Sequence, residues 1–263
     1  MSKKIVVIKI GGNIIDDPEG LNRFLERFAS LRVDKILVHG GGKIATRMAA
    51  DLGIEAKLVA GRRITDEAML RVVTMVYAGL TNKQVVAGLQ AYGCNAIGLS
   101  GADGNSIKTV KRPVNEIDYG FVGDILSGSV DADAIATLVD VGFIPVFSAI
   151  THDGYGQLLN TNADTIASAI AVALSSRYRT SLVYCFEKRG VLRDVTDDNS
   201  AIAEIRAGEF EELKASGIVA DGMVPKLHNA FDAIARGVEE VCIGHADDLH
   251  LLRDRHFGTR MIK

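Results

Sequence analysis

The sequence predicts an α/β fold in which helices cover a mainly parallel sheet. Its first apolar segment, Ile5–Ile10, is hydrophobic on both faces except at Lys9, which is typical of a strand buried between two layers of helices. Segments of this kind alternate along the chain with segments of helical periodicity, as strand–helix–strand units do. With 263 residues, of which 48% are hydrophobic, the chain can bury a sizeable core in one large domain or in two lobes.

Each strand is predicted from a short run of aliphatic or β-branched residues bounded by turn residues. The predicted strands are Ile5–Ile10, Lys35–His39, Ala96–Gly101, Phe143–Phe147, Leu182–Phe186 and Glu240–Ile243. Residues 54–65 predict a hairpin that turns near Ala60 and Gly61, and residues 107–122 predict an irregular hairpin excursion.

Helices are predicted where apolar side chains recur every three or four residues and a capping residue precedes them. Asp17 and Pro18 provide an N-cap and a first-turn proline, and Thr65 is the predicted N-cap of a helix whose first turn carries Asp66 and Glu67. The remaining predicted helices are Lys43–Leu52, Asp131–Val141, Asp164–Ser175, Gly208–Ser216 and about Lys226–Arg236.

Charge and composition exclude several classes of protein. The net charge is only -3, with 30 basic and 33 acidic residues well mixed, so no electrostatic footprint for nucleic acid is expected. No uncharged apolar stretch of about 18 residues predicts a membrane span, and no signal peptide is expected because Lys9 and Asp16 interrupt the N-terminal apolar segment. Cys94, Cys185 and Cys242 each lie singly in an apolar run, which predicts core cysteines in a reducing compartment and a cytoplasmic protein.

Two predicted strands end in glycine clusters, Gly11-Gly12 and Gly40-Gly41-Gly42. Glycine lets the backbone approach a phosphate or carboxylate closely, and ligands of open α/β sheets gather at the carboxyl ends of strands. Neither cluster fits the Walker pattern. The second fits a relaxed dinucleotide fingerprint, but the acidic residue expected about 20 positions later is missing, since Glu55 precedes its strand.

Three charged residues have positions that suggest phosphate chemistry. Lys9 ends a buried strand, where it either snorkels to water, pairs with a carboxylate or awaits an anion. Asp164 precedes an apolar helix and is either its N-cap or the carboxylate partner, and Lys226 lies in a helix first turn, where the dipole disfavours a cation. Together with the glycine turns, these residues describe a phosphate-handling site with two cations and one organising anion.

The chain resembles the acetylglutamate kinases of the amino acid kinase family, and the matching motifs run nearly from end to end. They are "IKIGGNIID", "LVHGGGKIATRMAADLGI", "GRRITDEAMLRVV", "GLTNKQVV", "IGLSGADGNSI", "GQLLNTNADTIASAIA", "GVL" and "DGMVPKL". The resemblance implies a three-layer α/β/α sandwich. It also implies ATP- and Mg2+-dependent phosphorylation of the γ-carboxylate of an N-acylglutamate, with N-acetyl-L-glutamate as the expected substrate, in arginine biosynthesis.

The resemblance also assigns roles to residues. Lys9 and Lys226 are expected to stabilise the transferring phosphoryl group, and Asp164 to orient both lysines. The residues expected to bind the acylamino acid are Gly41, Gly42, Arg63 and Asn160, with Arg63 suited to a carboxylate and Arg62 a solvated neighbour. The residues expected to bind the nucleotide are Gly11, Gly12, Glu187, Lys188, Arg189, Gly190, Val191, Leu192, Ile218, Val219 and Ala220.

At the scale of domains, the resemblance implies an N-terminal lobe, residues 1–175, that binds the acylamino acid and forms a homodimer, and a C-terminal lobe, residues 176–263, that binds ATP. Because the chain begins only a few residues before its first strand, an arginine-insensitive dimer is expected. One segment departs from the family pattern: "CFEKRGV", Cys185–Val191, stands where "LTDVxGV" is usual, which bears on nucleotide affinity.

Alternatives to an acetylglutamate kinase differ in class. A larger acyl group such as succinyl, or another carboxylate or phosphate acceptor, would keep the kinase chemistry. A dinucleotide enzyme is disfavoured by the missing ribose-binding acid, and a non-catalytic amino-acid sensor by the presence of both lysines.

Overall fold

The computed structural model describes residues 3–59, 61–194, 196–215 and 223–263. Its strands are β1 (Lys4–Ile10), β2 (Asp34–His39), β3 (Leu58–Val59), β4 (Arg62–Arg63), β5 (Ala96–Leu99), β6 (Val110–Lys111), β7 (Gly123–Asp124), β8 (Ile144–Phe147), β9 (Ile150–His152), β10 (Leu158–Asn160), β11 (Arg179–Phe186), β12 (Glu204–Arg206), β13 (Glu240–His245) and β14 (Thr259–Ile262). Its α-helices are α1 (Gly12–Asp16), α2 (Pro18–Ser30), α3 (Gly42–Asp51), α4 (Glu67–Val73), α5 (Asn82–Ala91), α6 (Ala132–Asp140), α7 (Ala163–Leu174), α8 (Phe210–Ala215) and α9 (Val224–Ala235). A π-helical stretch, Thr74–Thr81, joins α4 to α5, and 3₁₀ turns span Asp103–Asn105, Ala207–Glu209 and Ala246–Asp254.

Eight strands of the described residues form the central sheet, in the order β12-β14-β13-β11-β1-β2-β8-β5. All neighbours are parallel except β13 and β14, which confirms the predicted mainly parallel sheet. The antiparallel strand β14 was not predicted, because the helical and strand periodicity of the sequence gives no signal in the four residues Thr259–Ile262.

Alternate side chains of β1 pack into two separate hydrophobic clusters, as a strand between two helical layers requires. Ile5 and Val7 pack with residues of α3, α4, α6, α7 and α9, whereas Val6, Ile8 and Ile10 pack with residues of α2 and α5. The sheet is therefore the middle layer of an α/β/α sandwich, and the predicted fold class is confirmed.

The predicted caps are confirmed in one helix and corrected in another. Asp17 accepts a hydrogen bond from the backbone N–H of Glu19 at the start of α2. Helix α4, however, is capped by Asp66, whose carboxylate accepts from the N–H of Met69, so the prediction of Thr65 as the cap is wrong. The Thr65 hydroxyl cannot serve α4 because it donates to the carbonyl of Arg63 and accepts from the side chain of Asn160.

Lys35 shows what a structural lysine on a buried strand does. Its ammonium donates to the carbonyls of Phe28, Ala29 and Leu31, at 2.7, 3.1 and 2.8 Å, and so binds the C-terminal end of α2. Burial lowers the pKa of Lys35, but the carbonyl ligands and the negative end of the helix dipole hold its charge. No comparable set of carbonyls surrounds the ammonium of Lys9 in the described part of the chain, and this difference points to another role for Lys9.

The predicted boundary between lobes falls between α7 and β11. Strands β1, β2, β8 and β5, on one side of the sheet, precede it in sequence, and strands β11, β13, β14 and β12 follow it. The pairing of β1 with β11 joins the two halves into one continuous sheet.

Two predictions from the sequence, that no segment spans a membrane and that the cysteines lie in the core, can be compared with the structure. Among the residues described, no helix has the length and apolarity needed to cross a bilayer. Cys94, Cys185 and Cys242 are buried free thiols, as predicted for core cysteines.

Candidate active site

The candidate site lies at the carboxyl ends of β1, β2 and β11. In the central sheet, β1 lies between β2 and β11, and the strand order changes direction at this position. Such a topological switch point leaves a crevice beyond the carboxyl ends of the strands. Both glycine clusters lie there. A Cβ placed on Gly12 would be 3.9 Å from the backbone nitrogen of Gly42, so the two glycine turns face each other.

Lys9 and Asp164 form an ion pair in this crevice. Lys9 is on the same face of β1 as Ile5 and Val7, the face covered by α7, and its Nζ lies 2.7 Å from Asp164 Oδ1 in the first turn of that helix. Asn162, not Asp164, is the N-cap of α7, because its side chain accepts from the N–H of Thr165 at 3.1 Å. The N-cap interpretation of Asp164 is therefore wrong, and its carboxylate is free to hold the lysine.

The contact between Lys9 and Asp164 is an ion pair rather than a hydrogen bond. Its length is that of a hydrogen bond, but within the described residues Asp164 Oδ1 has no partner whose angles meet hydrogen-bond geometry. The side chains are only 11% and 29% exposed, so the attraction is less screened than at the surface. An ammonium held in this way by charge keeps N–H donors for an incoming anion.

Lys226 joins this pair from the first turn of α9. Its Nζ lies 3.8 Å from the centroid of the Phe186 ring, and the Nζ of Lys9 lies 5.6 Å from the same centroid. Within the described residues, no carboxylate is within ion-pair distance of the Lys226 ammonium. Burial lowers the pKa of Lys226, the attraction of Asp164 opposes that shift, and the positive charge of Lys9 adds to it. The structure thus brings together the three charged residues predicted from sequence.

A cavity of about 470 Å³ opens on the side of the first lobe. Its walls include the second glycine turn, the β3–β4 hairpin and the polypeptide around β7 and β10: Gly40, Gly41, Gly42, Arg62, Arg63, Tyr77, Arg112, Asp124, Asn160 and Asn162. All four residues predicted to bind the acylamino acid line this one cavity.

Arg63 is anchored at the floor of that cavity. It is 9% exposed, and its Nη2 donates to the carbonyl of Gly42 and to the hydroxyl of Thr46, both at 2.8 Å. These bonds tie the hairpin to the start of α3 and leave other N–H groups of the guanidinium fork for a ligand. Arg62, its neighbour, is exposed, as predicted.

The glycine turn of this cavity requires glycine at Gly41. Its φ of 154° is one that side chains rarely adopt, and a Cβ there would lie 3.0 Å from the ring of Tyr77. The backbone of the turn can therefore face the cavity directly.

His39 contacts the same glycine turn through a hydrogen bond of its buried ring. It is completely buried; its Nε2 faces the amide nitrogen of Asn82 at 3.1 Å, and its Nδ1 faces the carbonyl of Gly40 at 2.8 Å. Because the Asn82 amide also donates to the carbonyl of Val146, Nε2 of His39 is the acceptor and Nδ1–H the donor of a neutral imidazole. Burial lowers the pKa of His39 to about 4.

The shifted pKa of His39 predicts a loss of stability in acid. Between pH 6.5 and about 4 the unfolded chain binds a proton that the folded chain excludes, so stability falls as pH falls through this window. The expected loss is about 3 kcal/mol by pH 4, from about 1.4 kcal/mol per pKa unit. Urea unfolding at several pH values, in the wild type and in His39→Gln, measures it. The variant is expected to lose less stability on acidification; equal slopes would contradict the assignment.

A second cavity, of about 390 Å³, opens on the side of the second lobe. It is lined by Gly11, Gly12, Asn13, Ile14, Cys185, Phe186, Glu187, Lys188, Met223 and Lys226. A Cβ on Gly11 would lie 3.9 Å from the Lys9 ammonium, so this cavity reaches the ion pair at its inner end. The site therefore consists of two cavities whose glycine turns face each other, with Lys226 lining the second cavity and the Lys9 ammonium beside its Gly11.

The residues predicted to bind the nucleotide divide into those that line this cavity and those that do not. Gly11, Gly12, Glu187 and Lys188 line it. Gly190, Val191 and Leu192 are buried against the end of the chain; the N–H of Val191 donates to the Thr259 hydroxyl at 2.8 Å. Arg189 is exposed and donates to Asn199. Ile218, Val219 and Ala220 lie outside the described residues.

Phe186 and Tyr184 are site residues that sequence reasoning did not single out. Both follow from the period of a strand, since positions 182, 184 and 186 share the face of β11 that α7 covers. The unusual "CFEKRGV" segment drew attention to Lys188 and Arg189. Instead Lys188 pairs with the exposed Asp198 at 2.9 Å, and it is Phe186 that contacts the lysines.

Comparison with known proteins identifies the group to which this site belongs. The model of the amino acid kinase family matches residues 4–245. The acetylglutamate kinase of Bacteroides thetaiotaomicron is 55% identical over 263 residues and covers 100% of both chains. That of Cytophaga hutchinsonii is 52% identical with 99% of both covered, and that of Methanopyrus kandleri is 40% identical with 92% of this chain and 96% of the relative covered.

Solved structures share the fold at lower identity. N-acetylglutamate synthase from Neisseria gonorrhoeae, complexed with coenzyme A and N-acetyl-glutamate, matches with a TM-score of 0.81 and 22% identity, over 98% of this chain and 59% of that one. Carbamate kinase from Giardia lamblia bound to AMP-PNP matches with a TM-score of 0.72 and 15% identity, over 100% and 99%. The chain belongs to the amino acid kinase family. Its relatives at 52–56% identity over most of the chain place it among that family's acetylglutamate kinases.

Proposed function

We propose that the chain transfers the γ-phosphoryl group of ATP to the γ-carboxylate of N-acetyl-L-glutamate, the second step of arginine biosynthesis. The observation that carries the proposal is the ion pair of Lys9 and Asp164 at the glycine turn of the second cavity, with Lys226 near the same aromatic ring. One cavity suits a small dicarboxylate and the other a polyphosphate. Its relatives named acetylglutamate kinase support the choice of reaction.

Phosphoryl transfer needs positioning and charge more than covalent chemistry. In this proposal, ATP lies in the second cavity and its phosphates receive N–H groups from Gly11 and Gly12. The ammonium groups of Lys9 and Lys226 stabilise the charge that develops on the transferring group, and Asp164 fixes their positions. The nucleotide extends along Glu187 and Lys188, and the roles of Arg189–Leu192 and Ile218–Ala220 at the base and ribose remain predictions.

The acylamino acid occupies the first cavity. The fork of Arg63 receives the α-carboxylate, because a guanidinium can bind both oxygens at once. Asn160 and the backbone of Gly41 and Gly42 hold the remaining polar groups. In this position the γ-carboxylate points toward the lysines and the second cavity.

Loss of Arg63 is expected to raise the KM for N-acetylglutamate about 10- to 100-fold, with a small effect on the KM for ATP, since a charge-assisted fork contributes about 1.5–3 kcal/mol. Steady-state kinetics of Arg63→Ala, varying each substrate in turn, measures the two constants. Arg62→Ala is the matched control and should change the KM for N-acetylglutamate much less. Equal increases for both substrates of Arg63→Ala would indicate general damage to the hairpin.

Magnesium is expected to enter with ATP. No group of three His, Cys, Asp or Glu side chains converges into a metal cage within the described residues, and Mg2+ commonly binds through substrate phosphates and waters with one or two carboxylates. Of the carboxylates in the described residues, Glu187 lines the nucleotide cavity and would help hold the ion. When bound, the ion neutralises charge on the β- and γ-phosphates.

A single assay tests the proposed function. ADP release is measured with N-acetylglutamate, N-succinylglutamate, free glutamate and carbamate as acceptors, and the acyl phosphate is trapped with hydroxylamine. The proposal expects the highest kcat/KM with N-acetylglutamate and a hydroxamate product. Preference for N-succinylglutamate would change the acyl group, and turnover with none of the acylglutamates would refute the function.

We also propose a cytoplasmic homodimer whose contact involves the helix that joins α4 to α5. Met75 and Leu80 are 55% and 42% exposed on the π-helical stretch, and positions five apart in an i→i+5 helix lie on one side. Light scattering after gel filtration should show a dimer for the wild type and a monomer for Met75→Glu/Leu80→Glu. Val141→Glu, at a position elsewhere that is 66% exposed, should stay dimeric. A dimeric double variant would exclude this surface.

A further inference from the structure

Phe186 lies at the centre of the candidate site without any polar group of its own. Its ring centroid is 3.8 Å from the Lys226 ammonium and 5.6 Å from the Lys9 ammonium. The residue is half-buried at the last position of β11 and lines the nucleotide cavity. Two cations therefore lie near one aromatic ring, and within the described residues this ring is the contact of the Lys226 ammonium.

An aromatic face holds an ammonium in a way that a carboxylate does not. The negative quadrupole of the ring attracts the cation without fixing its N–H groups in directed hydrogen bonds. A lysine hydrogen-bonded to a carboxylate commits at least one of its three N–H donors to that contact, whereas a lysine resting on a ring can turn all three toward a phosphate. Lys226 rests on the ring of Phe186 and therefore has the second arrangement, in which its donors can turn toward a phosphate.

The ring itself is held in place by its own strand. Tyr184, two residues earlier on the same face of β11, stacks on Phe186 with centroids 6.2 Å apart and planes at 24°. The buried Tyr184 hydroxyl donates to the carbonyl of Asp164 at 3.2 Å. The first turn of α7, the two rings and the two lysines are thus linked in one continuous set of contacts.

We propose that Phe186 is a positioning residue for phosphoryl transfer: its ring holds Lys226 beside the pair of Lys9 and Asp164 while the ammonium keeps its donors free for the phosphate. The inference rests on the proposed function, to which it adds a residue that the motifs of the family do not contain, since Phe186 lies in the segment that departs from the family pattern.

Progressive fluorination of Phe186 separates the electrostatic attraction of the ring face from the packing of the side chain. Fluorine withdraws electron density from the ring face and changes the size of the side chain little, so 4-fluoro-, 3,5-difluoro- and 3,4,5-trifluorophenylalanine should lower kcat stepwise. The trifluoro form is expected to lose about 3- to 30-fold, the range of a desolvated cation–π contact. The KM for N-acetylglutamate should change less than about twofold. The same series at Phe24, which is fully buried in α2, is the control and should leave kcat unchanged.

A second measurement does not depend on turnover. The pKa of Lys226 is read by NMR titration of labelled lysine side chains, with Lys226→Met for assignment. The charges that act on this ammonium are those of Asp164 and Lys9, the titratable groups that line its cavity are Cys185, Glu187 and Lys188, and none of these residues changes across the series. Loss of the attracting face should lower the pKa of Lys226 further with each fluorine, and the alkaline limb of the kcat profile should move to lower pH.

The outcomes distinguish this inference from the proposed function. Unchanged kcat and an unchanged pKa of Lys226 across the fluorinated series, in an active enzyme, would overturn the role of Phe186 alone. A wild type without acylglutamate turnover would refute the function, while the titration would still decide whether the ring holds Lys226. Phe186→Leu should match the trifluoro form and Phe186→Tyr should stay close to wild type; equal losses in both would overturn the role.

Discussion

Replacing Lys9 with alanine is expected to lower kcat by about 10²-fold or more, the scale of one lost electrostatic donor in a dry site. Within the described residues, the ammonium has no structural role comparable to that of Lys35, which binds three carbonyls; it pairs with the carboxylate of Asp164 and lies near the Phe186 ring. Because the Asp164 side chain is 29% exposed, water can solvate it when the lysine is lost, and the variant should fold. The loss should therefore appear in turnover rather than in stability.

Two further variants make the Lys9 experiment decisive. Lys9→Arg keeps the charge but replaces a compact ammonium with a planar fork, and is expected to restore little of the rate. Lys4→Ala removes a lysine from the other end of the same strand, where it pairs with Glu240, and should leave kcat near the wild-type value. Near-normal turnover of Lys9→Ala, measured by ADP release at saturating substrates, would remove Lys9 from the transition state.

The parts of this site that the sequence predicts are those where residue type conflicts with local structure. A lysine at the end of a buried strand, a glycine triplet after another strand and a lysine in a helix first turn each break a local rule, and such conflicts concentrate at functional sites. Lys9, Gly41 and Lys226 were identified in this way, and the structure brings them to one crevice. The parallel order of the sheet follows from the same strand pattern.

What the sequence could not decide depends on contacts between distant segments. Asn162 and Asp164 are both suitable caps by residue type; in the structure Asn162 accepts from the N–H of Thr165 and caps α7, whereas Asp164 pairs with Lys9 on another element. Phe186 satisfies every expectation for a buried strand residue, so nothing local marks it as a partner of Lys226. The charges of Lys188 and Arg189 look unusual in sequence but are directed to Asp198 and Asn199.

Asp164→Asn is expected to fold with a nearly unchanged Tm and to lose most of its kcat, about 10²-fold. The amide occupies the same volume, and the cap of α7 is untouched because Asn162 supplies it. What changes is the charge: two ammonium groups remain near one aromatic ring without the anion between them. Their repulsion should displace both and lower the pKa of Lys226, whose charged form Asp164 favours.

The result expected of a mere cap is different and can be measured beside it. Asp131 caps α6 away from the site, accepting from the N–H groups of Asp133 and Ala134, and Asp131→Ala should cost about 1 kcal/mol, or about 2–4 °C in Tm, with kcat unchanged. If Asp164→Asn keeps its turnover, its carboxylate serves the helix rather than the lysines, whether or not Tm shifts, because asparagine caps a helix about as well as aspartate. If Tm holds and turnover falls, the carboxylate of Asp164 organises Lys9 and Lys226 for transfer, because the substitution keeps the shape of the side chain and removes its charge and one acceptor oxygen.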